Sequence, residues 1–393
     1  MMRRCCSLIT YRFLVRLYLV VYVAVGVQKY LLGSYNNYLM FARPFHNLIR
    51  NQSIYGLYPN LYLDNYKYSP TFAWLMGPFS GLPIGIGVVL WNLLNTVVLL
   101  VGVHIYLANE PDANRQRRVA LLIIFAEGLI TAQNMQSNNL IVGAILLGLA
   151  FLRKGQAGRA AFFFGLCGFV KFYGMAAALF FVFYPNRPRF LVAMGLWGVV
   201  FALAPLTVLP WDNLWSEYVT WFQVVVESKL GLFVSVLGIA EYWFGMARTD
   251  GNLRLIELVG AVVFLMPFAR IRQWTNPLFQ KRLIASFLVF IIIFNKMAES
   301  PTYVLAVVGV ALWWLTLPQP SRLDGLLLGL VIVFTSLSPT DLFPAIVRRS
   351  LFDPYSIKAV PCVLVWCRIQ YQLWMAQESI LKTQQSDLAT SRG

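Results

Sequence analysis

The chain has 393 residues, of which 59% are apolar and only 12% charged, with a mean hydropathy of +0.65. This composition excludes an ordinary soluble globular protein and predicts an integral membrane protein. The formal net charge of +16 would suit a nucleic-acid partner, but the lysines and arginines stand in twos and threes between apolar runs. That distribution orients a polytopic protein in the membrane, so we expect membrane lipids and no nucleic acid as partners.

Cysteines and histidines are too few and too scattered for a metal site or a disulfide framework. Cys5 and Cys6 adjoin the basic N-terminus, Cys167 lies in an apolar run, and the histidines are His46 and His104. Zinc sites and Ser-His-Asp triads need such residues close together. We therefore expect no disulfide, no metal and no cofactor.

The first apolar run, about residues 11–32, is long enough to cross a membrane at about 1.5 Å per residue. Four arginines lie within residues 3–16, which predicts a cytoplasmic N-terminus. The loop that follows, residues 32–82, is rich in tyrosine and too polar to lie in lipid. Long structured loops usually carry function, so we interpret it as an exoplasmic active-site loop. Its end, residues 69–82, is too short and too rich in proline to cross, which predicts a re-entrant segment.

The rest of the chain alternates apolar runs with short basic loops. Further crossings are predicted at residues 84–107, 119–133, 139–152, 190–209, 252–269, 283–295, 303–317, 322–336 and 357–375. The tryptophan-rich stretch 210–229 suits an interfacial helix, and 230–246 a re-entrant or interfacial one. The pattern predicts an all-α polytopic membrane protein with a bundle of about 10–12 transmembrane helices. These form a single membrane domain, 1–375, followed by a disordered cytoplasmic tail, 376–393.

One apolar segment cannot be a pair of ordinary crossings. The basic loops RKGQAGR (153–159) and PNRPR (185–189) both suit the cytoplasm. The intervening residues would give each arm about 12 residues, or about 18 Å, which is less than a bilayer core. Its midpoint is the sequence KFYG, so we predict a helical hairpin that breaks at Lys171. Broken helices at membrane depth mark binding sites.

Following the loop charges along the chain places Lys171 and several polar segments on the exoplasmic face. A lysine at membrane depth among aromatic residues suits a lipid-phosphate ligand, because the amine pairs with phosphate and the rings stack on sugars. An intramembrane ammonium is a functional candidate. The alternative is structural: Lys171 extends its ammonium toward the interface or pairs with Glu127 or Asp64.

Other polar residues on the same face complete a candidate donor-binding set. Its members are Lys67, Tyr68, Gln136, Asn138 and Tyr173. Glutamine and asparagine side chains offer both hydrogen-bond donors and acceptors. Capping of the helix that follows Gln136 is an equally good explanation of the QSNN sequence.

Carboxylates on this face are candidates for acid-base chemistry. Asp64, in LYLDNYKYSPTF, can act as the general base on an acceptor hydroxyl, or form a loop salt bridge with Lys67. Glu299, with its neighbours Lys296 and Tyr303, is a candidate for acceptor binding or support of the site. Helix capping before Ser300 and Pro301 explains Glu299 as well.

Two long segments give the chain a family resemblance. KYSPTFAWLMGPFSGLPIGIGVVLWNLLN resembles the tyrosine, proline and tryptophan-asparagine pattern of glycosyltransferase family 87, whose members are polytopic enzymes of the GT-C type. QSNNLIVGAILLGLAFLRKGQAGRAAFFFGLCGFVKFYG is similar to the second block of that family. FNKMAESPTY and SLSPTDLFP are similar to a bacterial subgroup. The resemblance covers roughly residues 11–317.

The resemblance implies a GT-C-like fold and an inverting transfer of a hexose, with mannose favoured, from a polyprenyl-phosphate donor. The acceptor would be a lipid or glycan on the exoplasmic side of a bacterial inner membrane, and the base would lie in the first loop. The family usually has an aspartate shortly after the first span, ahead of an aromatic residue. Here that place holds Asn37, before Tyr38. An amide cannot act as a base, so either Asp64 replaces it, the acceptor is activated otherwise, or activity has been lost.

A non-catalytic transporter or binding protein for lipid-linked sugars is the alternative from another class, and Asn37 makes it more credible. Transporters of this kind usually contain two pseudo-symmetric halves with paired broken helices. This sequence instead has one long first loop and one broken hairpin, which favours the transferase.

Overall fold

The computed structural model describes residues 9–227 and 234–390. Regular structure in these two ranges is helical, without a β-strand. Four helical segments among the described residues have the length and hydropathy of a membrane span: Tyr11–Leu31, Ile84–Tyr106, Arg187–Thr207 and Asp250–Ala269. Four shorter helices are also apolar: Asn138–Arg153, Ala157–Val170, Phe172–Phe183 and Ser300–Leu315. The prediction of an all-α polytopic membrane protein is confirmed, whereas the number of crossings stays a prediction.

The chain divides into two compact units, Met1–Lys229 and Leu230–Gly393. The α-helices of unit 1 are α1 (Tyr11–Leu31), α2 (Asn36–Ala42), α3 (Pro44–Ile49), α4 (Pro70–Leu75), α5 (Gly77–Ser80), α6 (Ile84–Tyr106), α7 (Ala113–Gln133), α8 (Asn138–Arg153), α9 (Ala157–Val170), α10 (Arg187–Leu203) and α11 (Trp211–Glu227). Two 3-10 helices accompany them, Phe172–Phe183 and Ala204–Thr207. Helix α1 packs against α6 and α7, and α8 packs against α6 and α9.

Helix starts in unit 1 follow local capping signals. Thr10 caps α1 by accepting a hydrogen bond from the Phe13 amide at 3.1 Å. Ser69 caps α4 in the same way, and Pro70 occupies the first helical position, where its missing N–H costs nothing. Such signals are readable in sequence, and the observed α1 and α6 end within one residue of the predicted 11–32 and 84–107.

The backbones of helices α6 and α8 lie close together where two glycines meet. A Cβ atom on Gly143 would lie 2.4 Å from the carbonyl oxygen of Val98, and one on Gly102 would lie 2.5 Å from the carbonyl oxygen of Gly143. Small residues allow such close contacts between membrane helices. The contact fixes α8, whose first turn carries Asn138.

We expect Gly143→Ala to lower the free energy of unfolding by about 1–3 kcal/mol, because the added methyl group pushes two helix backbones apart. Gly195→Ala on α10 is the matched control, since nothing lies within 4 Å of an added Cβ there. Thermal unfolding of both variants in one detergent measures the difference. Equal melting temperatures would contradict a backbone contact at Gly143.

The described part of unit 2 is also helical. Its α-helices are α12 (Val236–Phe244), α13 (Asp250–Leu265), α14 (Pro277–Ile293), α15 (Tyr303–Leu315), α16 (Arg322–Leu330), α17 (Ala345–Val347) and α18 (Val360–Thr390). Shorter 3-10 segments are Met266–Ala269, Ile271–Gln273 and Ser300–Thr302, and π-helical turns are Val331–Ser336 and Arg348–Phe352. Helix α14 packs against α15 and α18. The buried Asp324 carboxylate joins α16 to α18 through an ion pair with Arg368 at 2.9 Å.

The two compact units are a division by packing, and the predicted layout of one membrane domain, 1–375, followed by a disordered cytoplasmic tail, 376–393, stays a prediction. Helix α18 continues to Thr390, within that tail, and residues 391–393 lie outside the described residues. The tail contains no glycine or proline before residue 393, and its Gln, Leu and Lys are good helix formers. The predicted interfacial stretch 230–246 is described from residue 234 onward and contains α12.

Candidate active site

The loop between α1 and α6 folds into four short helices, α2 to α5, around a turn-rich stretch. The longest of these helices has seven residues, about 10 Å at about 1.5 Å per residue. That length is far below a bilayer core, and no candidate membrane span among the described residues lies in this loop. Its depth in the membrane stays a prediction.

Three hydrogen bonds hold the turn between α7 and α8, which contains Gln136. Met135 has a positive φ of 54°. The Trp91 indole donates to the Met135 carbonyl at 2.9 Å, and the Asn37 amide donates to the Asn134 carbonyl at 2.8 Å. Asn95 Oδ1 accepts from the backbone of α8, at the Leu140 amide, at 3.2 Å. The tryptophan-asparagine pattern of α6 thus positions the QSNN turn.

The chain breaks at Lys171, as the short arms of the predicted hairpin require. Helix α9 ends at Val170, Lys171 is extended with φ −143° and ψ 110°, and a 3-10 helix begins at Phe172. The return arm packs tightly: a Cβ on Gly174 would lie 2.9 Å from the Cβ of Cys167. The predicted break is confirmed.

Five of the six predicted donor-binding residues meet at this break. The Lys171 ammonium donates to Asn138 Oδ1 at 2.7 Å and to Gln136 Oε1 at 3.4 Å. The Tyr68 hydroxyl donates to Gln136 Oε1 at 3.5 Å, and the Tyr173 hydroxyl donates to Asn138 Oδ1 at 3.4 Å. The Lys171 Nζ atom also lies 5.9 Å from the centre of the Tyr68 ring. We call these five residues the lysine cluster.

The lysine cluster combines buried amides with more accessible groups. Asn138 and Gln136 are buried, at 0% and 7% exposure, whereas Lys171, Tyr68 and Tyr173 are partly exposed. The amides are fixed by the α7–α8 turn, so they hold the ammonium in place. An incoming anion can therefore reach a lysine whose position is already set.

Lys67, the sixth predicted donor-binding residue, contributes its backbone to the packing. Its carbonyl accepts from the Trp221 indole at 3.2 Å. Lys67 forms no ion pair with Asp64 among the described residues, so the alternative of a loop salt bridge is not observed. Asp64 is exposed, and its Oδ1 accepts from the Asn65 amide at 3.0 Å.

Asn37 and Asp64 lie on segments that one hydrogen bond joins. Asn36 Oδ1 accepts from the backbone amide of Leu63 at 2.8 Å. Asn36 precedes Asn37 and Leu63 precedes Asp64, so this bond brings the chain at Asp64 to the start of α2. Asn37 in turn bonds to Asn134, two residues before Gln136. The two predicted catalytic residues therefore sit on segments tied to the turn of the lysine cluster.

Helix α11 supplies a buried carboxylate that the sequence did not single out. Glu217 is 8% exposed, and its Oε2 accepts from the Ile54 amide at 3.2 Å. The adjacent Tyr218 hydroxyl hydrogen-bonds to Thr71 Oγ1 at 2.7 Å. Together with Trp221, these residues lie at helical spacing and fasten the first loop along one face of α11. An acidic residue on the same helix face as aromatic residues is the sequence signal that could have identified Glu217.

Burial raises the pKa of the Glu217 carboxyl above its ordinary value, and hydrogen bonds from Ile54 and Ser53 offset part of this effect. Its titratable neighbours are tyrosines: Glu217 helps to raise the pKa of Tyr55 and Tyr58, for which burial is the larger cause. When the loop leaves α11, Glu217 meets water and its pKa returns toward the ordinary value. The Glu217 carboxyl therefore binds its proton more tightly when the loop is docked on α11. As a result, the free energy of docking becomes more favourable as the pH falls toward the ordinary pKa of a glutamic acid.

We expect hydrogen exchange of residues 53–68 to slow as the pH falls from neutral toward the ordinary range of a glutamic acid, after correction for the intrinsic pH dependence of exchange. Glu217→Gln should remove this pH dependence while keeping an acceptor for the Ile54 amide. Mass-spectrometric exchange on both proteins measures it. The same pH dependence in Glu217→Gln would show that another group controls the loop.

The three remaining predicted residues belong to unit 2. Glu299 and Thr302 form a capping box, in which the Glu299 amide donates to Thr302 Oγ1 at 3.2 Å, so the capping alternative for Glu299 is confirmed. Lys296 interacts electrostatically with Glu257 of α13. Tyr303 is buried, and its hydroxyl donates to the Val234 carbonyl at 2.7 Å. Their part in acceptor binding stays a prediction.

The fold and the site define a class: a polytopic, all-helical membrane protein with a lysine held by amides at a helix break. The family model of glycosyltransferase family 87 matches residues 66–294. This match covers more than half of the chain, and the chain belongs to that family. It is therefore a membrane glycosyltransferase. The match includes the whole lysine cluster and Glu217, and it begins after Asn37 and Asp64. No match was found among curated proteins.

Proposed function

We propose that this glycosyltransferase transfers a hexose, with mannose favoured, from a polyprenyl-phosphate donor to a lipid or glycan acceptor on the exoplasmic side. The observation that carries the proposal is the lysine cluster, in which the Lys171 ammonium is held at a helix break by the side-chain oxygens of Asn138 and Gln136. A bacterial inner membrane is the proposed location, because the resemblance is to bacterial members.

The proposed role of Lys171 is to bind the phosphate of the donor and to stabilise it as it leaves. An ammonium carries three N–H donors. Phosphate oxygens are charged, so they compete well against the neutral amide oxygens that hold the ammonium here. As the bond between the sugar and the phosphate oxygen breaks, negative charge grows on that phosphate. Lys171 then binds the transition state more tightly than the ground state, which is the condition for catalysis.

Tyr68 and Tyr173 have proposed roles beside Lys171. Each hydroxyl donates to an amide oxygen of the cluster over a long distance, 3.5 Å and 3.4 Å. Long hydrogen bonds are readily exchanged for better ones. We therefore propose that the two hydroxyls donate hydrogen bonds to phosphate or sugar oxygens, and that the partly exposed ring of Tyr68 stacks on the face of the sugar.

Asp64 is the proposed general base. The acceptor hydroxyl attacks the anomeric carbon from the side opposite the phosphate, a new carbon–oxygen bond forms, and the bond to the phosphate oxygen breaks with its electron pair. The acceptor proton passes to the Asp64 carboxylate. Support comes from its exposure, which leaves it open to an acceptor, and from the Asn36–Leu63 hydrogen bond next to it.

A binding or transport function without transfer is the second candidate. The observation in its favour is Asn37, an amide in the position where the family usually has its carboxylate. The Asn37 amide donates a hydrogen bond to the Asn134 carbonyl. Purified protein incubated with polyprenyl-phosphate mannose and a membrane lipid extract separates the two. Mass spectrometry should find a new mannosylated product together with free polyprenyl phosphate. Donor bound but never consumed would favour binding or transport.

A further inference from the structure

A second polar cluster lies at the opposite end of α8 from the lysine cluster. Helix α8 has 16 residues, from Asn138 to Arg153, so its ends are about 22 Å apart at about 1.5 Å per residue. Tyr106, the last residue of α6, lies against Arg153, and Tyr184 follows the broken hairpin; both tyrosines are buried. The two clusters are therefore distinct sites within unit 1.

The hydroxyls of Tyr106 and Tyr184 are both buried, and neither has a hydrogen-bond partner among the described residues. The side chains are 98% and 92% buried, from exposures of 2% and 8%. Asn186, two residues after Tyr184, lies beside Gly155, two residues after Arg153, so the chain at Tyr184 lies near the C-terminal end of α8. A buried hydroxyl without a partner costs about 1–3 kcal/mol. Two such groups near the C-terminal end of α8 indicate a place that a polar ligand completes.

Arg153 gives this place a fixed positive charge. Its guanidinium carbon lies 4.4 Å from the centre of the Tyr106 ring, and the group donates to the Tyr106 carbonyl. Its Nη1 atom lies 3.3 Å from Glu110 Oε1. A guanidinium has five N–H donors, so these contacts orient it and leave capacity for another acceptor.

Two basic loops surround the cluster. The loops at 153–159 and 184–189 are neighbours, since a Cβ on Gly155 would lie 4.0 Å from Asn186 Nδ2. Besides Arg153, these loops carry four exposed basic residues and no acidic one: Lys154, Arg159, Arg187 and Arg189. The positive-inside rule assigns such loops to the cytoplasmic face.

We propose that Tyr106, Tyr184 and Arg153 form a binding site for the phosphate group of an anionic lipid in the leaflet next to the basic loops. The two hydroxyls donate to phosphate oxygens, Arg153 adds a charge-assisted contact, and the exposed basic residues attract the headgroup. Basic pockets between helices on the cytoplasmic side bind lipid headgroups in this way. The site is independent of the transfer reaction at the lysine cluster.

Full-length protein in detergent tests the site with three probes: phosphatidylglycerol, phosphatidylcholine and inorganic phosphate. We expect phosphatidylglycerol to bind in native mass spectra and to raise the melting temperature. The double variant Tyr106→Phe and Tyr184→Phe should weaken that binding about tenfold or more, the effect of losing one to two hydrogen bonds to a charged group. Without lipid, the variant should be at least as stable as the parent, because it lacks two unsatisfied hydroxyls.

Tyr18→Phe is the matched control, since it removes a buried hydroxyl that already donates to the Leu121 carbonyl at 2.6 Å. It should leave phosphatidylglycerol affinity unchanged. Equal phosphatidylglycerol affinity in the double variant and the parent would overturn the site. So would binding of phosphatidylcholine with the affinity of phosphatidylglycerol, or binding of inorganic phosphate that displaces the lipid, which would indicate a site for a small anion.

Discussion

Lys171→Ala is expected to lower turnover about 10²- to 10³-fold, the usual effect of removing one donor that stabilises charge in a transition state. It should also weaken donor binding about tenfold to a hundredfold, because a hydrogen bond to a charged group contributes about 1.5–3 kcal/mol. Both effects follow from the contacts of Lys171 with Asn138 and Gln136, which hold the ammonium at the helix break. Initial rates and titration with polyprenyl-phosphate mannose measure them.

Two variants control for folding and for charge. Lys171→Arg keeps a cation and should retain part of both affinity and turnover, although the guanidinium does not fit a site built for a compact ammonium. Lys29→Ala removes a lysine near the end of α1, outside the cluster, and should leave both unchanged. If a folded Lys171→Ala protein bound the donor with wild-type affinity, Lys171 would have a structural role and not a donor-binding one.

Asp64→Asn is expected to lower turnover about 10²- to 10⁴-fold, the usual contribution of a general base. A sugar hydroxyl is a poor nucleophile until its proton is taken, and an amide cannot take it. Donor affinity should stay nearly the same, because a base acts in the transition state rather than in ground-state binding. Single-turnover rates and donor titration on the same preparations separate the two effects.

Three companion variants make the Asp64 result specific. Asp212→Asn removes another exposed carboxylate of unit 1 and should have no effect. Asn37→Asp should raise activity or leave it unchanged, and Asn37→Ala should be mild, apart from the loss of the bond to Asn134. Wild-type turnover in Asp64→Asn would make Asp64 an ordinary loop residue, with Glu217 and Glu299 as the next candidates.

Sequence predicted those parts of the molecule that depend on local physics. The lengths of the apolar runs predicted the ends of α1 and α6 to within one residue, because an apolar run of that length is a helix in a membrane. The break at Lys171 followed from arm length. Five of the six donor-binding candidates, which were assigned to one face of the membrane, lie together at that break, and their role stays a prediction.

Features that depend on packing between distant segments could not be read from sequence. Glu217 is an ordinary acid in an amphipathic helix until α11 docks on the first loop at Ile54. The contact between α6 and α8 at Gly143 depends on the crossing of two helices, as does the site at Tyr106 and Tyr184. The capping role of Glu299 was an open alternative that only the backbone geometry decided.

The most direct test of the account is a structure of the protein with a non-hydrolysable phosphonate analogue of polyprenyl-phosphate mannose. We predict a phosphonate oxygen at hydrogen-bond distance, about 2.7–3.2 Å, from the Lys171 Nζ atom, with the sugar beside Tyr68. A phosphonate bound away from Lys171, with the ammonium still donating to Asn138 and Gln136, would contradict the proposed site.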